Sequence, residues 1–254
     1  MRAVIVLAHG LAEHSGRYQT VVKDLTDRHY GIYSLDHIGH GRSEGDRCCV
    51  KSFNDLVQPI HNLVLEIKQS HPLLPVFLLG HSMGGLICGN YLLDHQNQVD
   101  GAIFSAPAVL GHQQPDLKMV LKLIYYALVS PQKGVLQLDA KGVSRNPAVV
   151  AAYVQDPLVY TGKVPACMML ALAKAMRRLQ LKANRITAPV LILQGDKDKL
   201  VNPEGARLLY DQVSSPDKFL QRYPPSYHEI LNELEYPLVL SAITDWVRKH
   251  IRDA

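Results

Sequence analysis

Cysteine is scarce in this chain: 254 residues hold four, Cys48, Cys49, Cys88 and Cys167. Two are adjacent and none forms a C-x-x-C pair, so neither a disulfide framework nor a zinc site is expected, and a reducing, cytoplasmic setting is. Long apolar runs are also missing. Met1 to His9 lacks the charged region, long apolar core and cleavage site of a signal peptide, and no other run is long enough to span a bilayer, so the chain is expected not to be integral to a membrane. The formal net charge is +4, yet the basic residues are spread along the chain rather than gathered into a block that could neutralise many phosphates. Nucleic acid is excluded as a partner on that ground. There is no internal repeat and no low-complexity segment. With 47% apolar and 20% charged residues, the composition is that of a soluble folded protein with one large core domain.

Against these absences, one stretch carries chemistry. Pro75 to Asn90, PVFLLGHSMGGLICGN, runs from an apolar strand through Gly80-His81-Ser82-Met83-Gly84 into a run of small and apolar residues. A G-x-S-x-G pentapeptide between a strand and a helix is a nucleophile elbow, in which glycines flank a serine held in a strained conformation with its hydroxyl clear of the sheet. Ser82 is therefore the candidate nucleophile. The competing reading is that Gly80 and Gly84 only permit close packing between a helix and a strand.

The rest of the chain alternates around this stretch. Ala3 to Ala8 is a continuous apolar run, the pattern of a strand buried on both faces, and it ends in His9-Gly10. A helix over Arg17–Arg28 and a strand over Gly31–Asp36 complete the first β-α-β unit. The glycine- and charge-rich loop Asp36 to Asp46 leads to a helix over Phe53–His71, and Gly101–Ser105 supplies the strand after the elbow helix. From Pro107 to about Thr187 the alternation lapses into apolar helical segments, clearest at Leu117–Val129 and Ala166–Leu181. Alternation resumes with a buried strand over Pro189–Gly195, a helix over Pro203–Val213, a strand over Lys218–Tyr223 and a closing helix over Glu235–Ile251. The expected architecture is α/β: a mainly parallel sheet with helices on both faces, in two core segments, 1–108 and 188–254, separated by a helical cap over 109–187.

A serine hydroxyl needs a base within reach and an acid to orient that base. On a parallel sheet these groups follow the carboxyl ends of late strands, in the order Ser, acid, His. Asp198 follows the late strand that ends at Gly195, and His228 lies after Lys218–Tyr223. Asp196 competes as the acid, and Asp198 is preferred. His9, His37, His40 and His71 precede the acid and are in the wrong order for the base. The backbone N–H groups of Met83, directly after the serine, and of Leu11, in the loop after the first strand, are the candidate oxyanion donors. No metal or cofactor is called for.

Three motifs in order, His9-Gly10 with Glu13-His14-Ser15-Gly16-Arg17-Tyr18, then Asp36 to Gly45, then Gly80 to Gly85, together with Asp156-Pro157-Leu158, resemble the monoglyceride lipases and related lysophospholipases of the α/β-hydrolase superfamily. The resemblance covers nearly the whole chain. It implies hydrolysis of a single-chain acyl ester, of the monoacylglycerol type, by a serine triad beneath a mobile cap. It assigns Ser82, Asp198 and His228 as catalytic, Leu11 and Met83 as oxyanion donors, and Glu13, Arg17, His81 and Tyr153 to the polar end of the substrate pocket. The partner it implies is an acyl ester or lipid, with peripheral membrane contact through the cap and through Lys174, Arg177 and Arg178 left open.

The chain departs from that pattern at three places. Leu11 is bulky where the family has small residues, which narrows the acyl entrance. Leu231 stands where mammalian members carry a second histidine, which weakens the case for glycerol selectivity. The antiparallel strand pair that usually precedes the first parallel strand is missing, which leaves the strand at Gly31 as an edge. A lysophospholipase or short-chain carboxylesterase is the nearest alternative, and a binding protein that kept the fold without the chemistry is the remote one.

Overall fold

The computed structural model describes residues 1–112 and 116–251; the stretches 113–115 and 252–254, within the expected cap and last core segment, lie outside the described residues. The central sheet has six strands, β1 (Val4–Ala8), β2 (Gly31–Ser34), β3 (Val76–His81), β4 (Gly101–Ser105), β7 (Val190–Gly195) and β8 (Lys218–Tyr223), in the order β2-β1-β3-β4-β7-β8. All five pairings are parallel. Every residue of β1, β3, β4 and β7 is buried, which is why each reads as a continuous apolar run rather than an alternating one. β2 is an edge of the sheet, with Gly31 to Tyr33 half-buried and Ser34 exposed.

Alternate side chains of the strands feed two cores. Val4, Val6, Leu78, Phe104 and Ile192 pack on one face with α2 (Asn54–Ser70), α3 (Met83–His95) and α7 (Glu204–Gln212); Ile5, Leu7, Phe77, Leu79, Ile103, Leu191 and Leu193 pack on the other with α1 (Gln19–Asp27) and α8 (Tyr236–His250). The elbow helix α3 is buried from Met83 to Leu93, so it is apolar all round and lies beneath other helices.

Between β4 and β7 the chain forms α4 (Leu117–Val129), a short antiparallel pair of β5 (Gly134–Leu136) and β6 (Val164–Pro165), α5 (Pro147–Gln155) and α6 (Ala166–Lys182). The methionine- and leucine-bearing stripe of α6 is core, with Met168, Leu172 and Leu179 buried. α4 is the opposite: none of its residues is buried, and Leu117, Met119, Leu121, Tyr125 and Leu128 are exposed. The segment is pinned to the sheet side by Tyr160 N–H donating to the Ala12 carbonyl at 2.8 Å and by the His14 ring to Asp156 Oδ2 at 2.9 Å. The Asp-Pro-Leu motif is thus an anchor: Asp156 Oδ1 also accepts from Leu158 N–H at 2.8 Å.

One expectation fails here. Cys49, in the loop before α2, is disulfide-bonded to Cys167 at the start of α6, 118 residues away, and only Cys48 and Cys88 are free. Spacing in sequence could not show the pair, because the intervening segment must fold back across the sheet before the sulfurs meet. The absence of a disulfide was the ground for a reducing, cytoplasmic setting, and that ground is removed. Thiol titration of the denatured, unreduced protein should find two reactive cysteines, rising to four after reduction. Closing a loop of this length raises stability by about 3–5 kcal/mol in the chain-entropy account, so Cys49→Ser should lower the unfolding midpoint markedly. Four thiols before reduction would disprove the bond.

Candidate active site

Ser82 sits between β3 and α3 with φ 54 and ψ −115, a conformation that costs a non-glycine residue energy and persists only where surroundings impose it. They do so through its backbone. Ser82 N–H donates to the Ser105 carbonyl at 2.9 Å, and its own carbonyl accepts from Leu86 and Ala108 at 3.1 and 3.0 Å. The flanking glycines are required by space. A methyl on Gly84 would meet the Ala8 carbonyl, and one on Gly80 would meet the Gly84 carbonyl, so the turn closes only without side chains there.

The loops after β7 and β8 bring the acid and histidine to the same edge. His228 Nδ1 lies 2.7 Å from Asp198 Oδ2, and both side chains are buried. Asp198 is further held by Gln194 Nε2 at 3.1 Å on Oδ2 and by the amides of Leu200 and Val201 at 2.8 and 3.0 Å on Oδ1. Burial works against the charge of Asp198, but the histidine and the two amides outweigh it, and its pKa lies below the ordinary carboxylate value. An ionised carboxylate only accepts, so Nδ1 of His228 carries the proton and Nε2 is left free as an acceptor. Burial also pushes the His228 pKa down, but the charge and hydrogen bond of Asp198 push harder, with Glu229 and Glu13 adding to them, and it ends above 6.5. Asp196 is elsewhere: its Oδ1 accepts from Arg222 Nε at 2.5 Å on the surface.

Ser82 and His228 line one cavity of about 150 Å³ with Gly10, Leu11, Met83 and residues from the cap, among them Leu138, Tyr153, Met169, Leu172 and Met176. The amides of Leu11 and Met83 make no hydrogen bond within the protein among the described residues, and Met83 opens α3, whose first N–H groups face the serine. Ala12, after Leu11, has φ 67, so the donor loop is itself held in an uncommon turn. A larger groove of about 1120 Å³ lies between the start of α2 and the helices α4 and α6; Cys49 and Cys167 line it, and Ser82, Asp198 and His228 do not.

Of the four residues assigned to the polar end, Glu13, His81 and Tyr153 line the cavity and Arg17 does not. His81 packs 4.8 Å from the His228 ring, and burial, aided by His228, brings its pKa to about 4, so it is neutral near pH 7. Arg17 lies behind the wall. Its Nη1 donates to Glu13 Oε2 and to Glu229 Oε1, both at 2.6 Å, and its guanidinium stacks 4.7 Å from the Tyr153 ring. Glu229 lines the cavity and was not foreseen; its position beside His228 was the sole signal in the sequence. The earlier histidines serve the framework: His9 Nε2 accepts from the His37 amide at 2.9 Å, behind the donor loop. Arg178 is engaged as well, donating to Asp94 at 2.7 Å and to Asn90 at 3.1 Å, so it is not a free cation on the cap. Among the described residues no cluster of His, Cys, Asp and Glu has the arrangement of a metal site.

A parallel sheet with a serine on a strained strand-to-helix turn, an acid and a histidine after its last two strands, and helices closing over them is an α/β-hydrolase. The chain belongs to the serine aminopeptidase, S33, family, whose model matches residues 1–235. It is 42% identical over 252 residues to a monoacylglycerol lipase of Mycolicibacterium smegmatis, covering 98% of this chain and 89% of the relative. Its structure resembles that of the Paleococcus ferrophilus monoacylglycerol lipase, with TM-score 0.89, 33% identity and coverage of 98% of this chain and 95% of that one. A monoglyceride lipase variant of Saccharomyces cerevisiae, solved with a substrate analog, matches with TM-score 0.84 at 26% identity, covering 100% and 88%. The chain is a carboxylic ester hydrolase of the monoacylglycerol lipase-like group, and the reading as a binding protein without chemistry falls away. No helix among the described residues is long and apolar enough to cross a membrane.

Proposed function

We propose that the protein hydrolyses the ester of a single-chain acyl lipid, of the monoacylglycerol type, through an acyl-enzyme on Ser82. The observation that carries this reading is a single cavity lined both by a strained serine and by a histidine whose Nδ1 is bound to a buried carboxylate. His228 Nε2 takes the Ser82 proton as Oγ attacks the ester carbonyl, and the amides of Leu11 and Met83 receive the oxyanion. The imidazolium returns the proton to the departing alcohol oxygen as the carbon–oxygen bond breaks. Water, deprotonated by the same nitrogen, then attacks the acyl-enzyme, and the fatty acid leaves with Ser82 restored. Leu11, Leu138, Met169, Leu172 and Met176 offer the chain an apolar bed, while Glu13, His81 and Tyr153 form the polar end for the alcohol.

The size of the cavity favours a second reading within this class, a short-chain carboxylesterase. At about 150 Å³ it is smaller than the ~300–1,000 Å³ usual for ligand sites, and Leu11 is among its walls. The exposed apolar residues of α4, with Lys118 and Lys122 among them, support docking on a lipid surface where long-chain substrate is held. One panel tests these readings: monoacylglycerols, lysophosphatidylcholines and p-nitrophenyl esters of rising chain length, each in solution and in vesicles. The monoacylglycerol reading expects the highest kcat/KM on monoacylglycerols and a selective loss on vesicle-borne substrate in Leu128→Glu. A preference for acetyl and butyryl esters, with no response to Leu128→Glu, would leave the short-chain esterase.

A further inference from the structure

The ion cluster behind the cavity joins the two loops that the proposed chemistry must hold in register. On one side Glu13 Oε1 accepts from the Gly10 amide at 2.7 Å and from Tyr18 Oη at 2.6 Å, which fixes the loop that presents the Leu11 amide. On the other side Glu229 follows His228 directly. Arg17 bridges them, with Nη1 shared between Glu13 and Glu229 and Nη2 donating to Glu229 Oε2 at 2.8 Å. All four carboxylate oxygens have partners, Asn232 Nδ2 also reaching Glu229 Oε2 at 3.0 Å. The side chains of Arg17, Glu13 and Glu229 are 8%, 4% and 5% exposed.

A buried cluster of this kind is a poor way to gain stability, because desolvating three charges costs more than apolar packing of the same volume would. It is also unbalanced, with two carboxylates on one guanidinium. The groups that face His228 from the packed elements are Asp198 after β7, His81 at the end of β3, Glu13 after β1 with Arg17 behind it, and Glu229 on its own loop. His81 is held neutral by burial. The local sum is therefore negative where a positive imidazolium must form.

Accepting Ser82 and His228 as nucleophile and base, we propose that Arg17 is a positioning residue which, through Glu13 and Glu229, locks the oxyanion loop to the histidine loop, and that the unbalanced carboxylate supports the His228 imidazolium. A two-pronged guanidinium can span both carboxylates in one plane, and an ammonium cannot. Both carboxylates of the clamp, Glu13 and Glu229, line the cavity, and Glu229 thereby takes a role the resemblance did not assign.

The test compares Arg17→Lys and Glu229→Gln with wild type in kcat, KM, the acid limb of kcat/KM against pH, and the thermal midpoint. Arg17→Lys is expected to lower kcat about 10–100-fold with KM changed less than about threefold, the signature of lost transition-state alignment. Glu229→Gln keeps the volume and removes the charge, and is expected to move the acid limb to lower pH by about half a unit or more. A lower midpoint with kcat and acid limb unchanged in both variants overturns the proposal and leaves a packing role. If Arg17→Lys does not fold, Glu229→Gln decides alone, and an unmoved limb there overturns it. Failure of the underlying reading looks different, because a Ser82→Ala protein would then remain active whatever the cluster does.

Discussion

Ser82→Ala is expected to lower kcat/KM for every ester the protein cleaves by about 10⁴-fold or more, since the proposed covalent path closes and what remains is the binding and oxyanion stabilisation of the site. Among the described residues no second serine, threonine or cysteine lines the cavity to replace it. The other lining hydroxyl is that of Tyr153, whose pKa burial and the nearby carboxylates push up, so it stays protonated. The loss should come without unfolding. The Ser82 side chain caps no backbone group of α3, and the strained φ is imposed by backbone bonds to Ser105, Leu86 and Ala108 that an alanine retains. Hydrolysis of a p-nitrophenyl ester and labelling by a fluorophosphonate probe should vanish together, with the thermal midpoint within a few degrees of wild type. Near-normal turnover by the alanine variant would end the serine mechanism, and intact turnover with lost labelling would mean that the probe reads a different hydroxyl.

What could be read from the sequence follows from how each element is stabilised. β1, β3 and β7 are buried on both faces, so their identity is written in consecutive apolar residues and needs no knowledge of their neighbours. The helices at Asn54–Ser70, Leu117–Val129 and Tyr236–His250 have one apolar face and show the helical period. α5 escaped notice because Pro147–Gln155 is apolar almost all round and has no period to detect. The β5–β6 pair escaped because β6 is two residues long and gains its place from β5 and α6. The catalytic assignments came from order along the chain, which the parallel topology converts into proximity at one edge of the sheet. Arg17 and Glu229 could not be joined that way: they are 212 residues apart, and their ion pair exists only after both loops have folded onto the same edge. The Cys49–Cys167 bond was hidden for the same reason.

Asp198→Asn and Asp196→Asn should separate by about three powers of ten, the first lowering kcat by about 10³–10⁴ and the second staying within about twofold of wild type. Both aspartates follow the same strand, and the geometry distinguishes them. Asp198 accepts from His228 Nδ1 in a buried site, whereas Asp196 holds Arg222 at the surface. An asparagine at 198 can turn its N–H₂ toward the ring, which would place the imidazole proton on Nε2 and leave no acceptor for Ser82. The pH profile adds a second sign. In the proposed mechanism the base works when neutral, so wild-type kcat/KM should fall as pH drops through the His228 pKa, which lies above 6.5. With the Asp198 charge removed, burial is left as the dominant influence on the ring, and the residual activity of Asp198→Asn should keep its acid limb at lower pH than wild type. Asp196→Asn should leave the limb where it is, because its carboxylate neither touches the ring nor enters the cavity. A large loss at Asp196, or an acid limb unmoved by Asp198→Asn, would transfer the orienting role to Asp196 and require the loop after β7 to rearrange before chemistry begins.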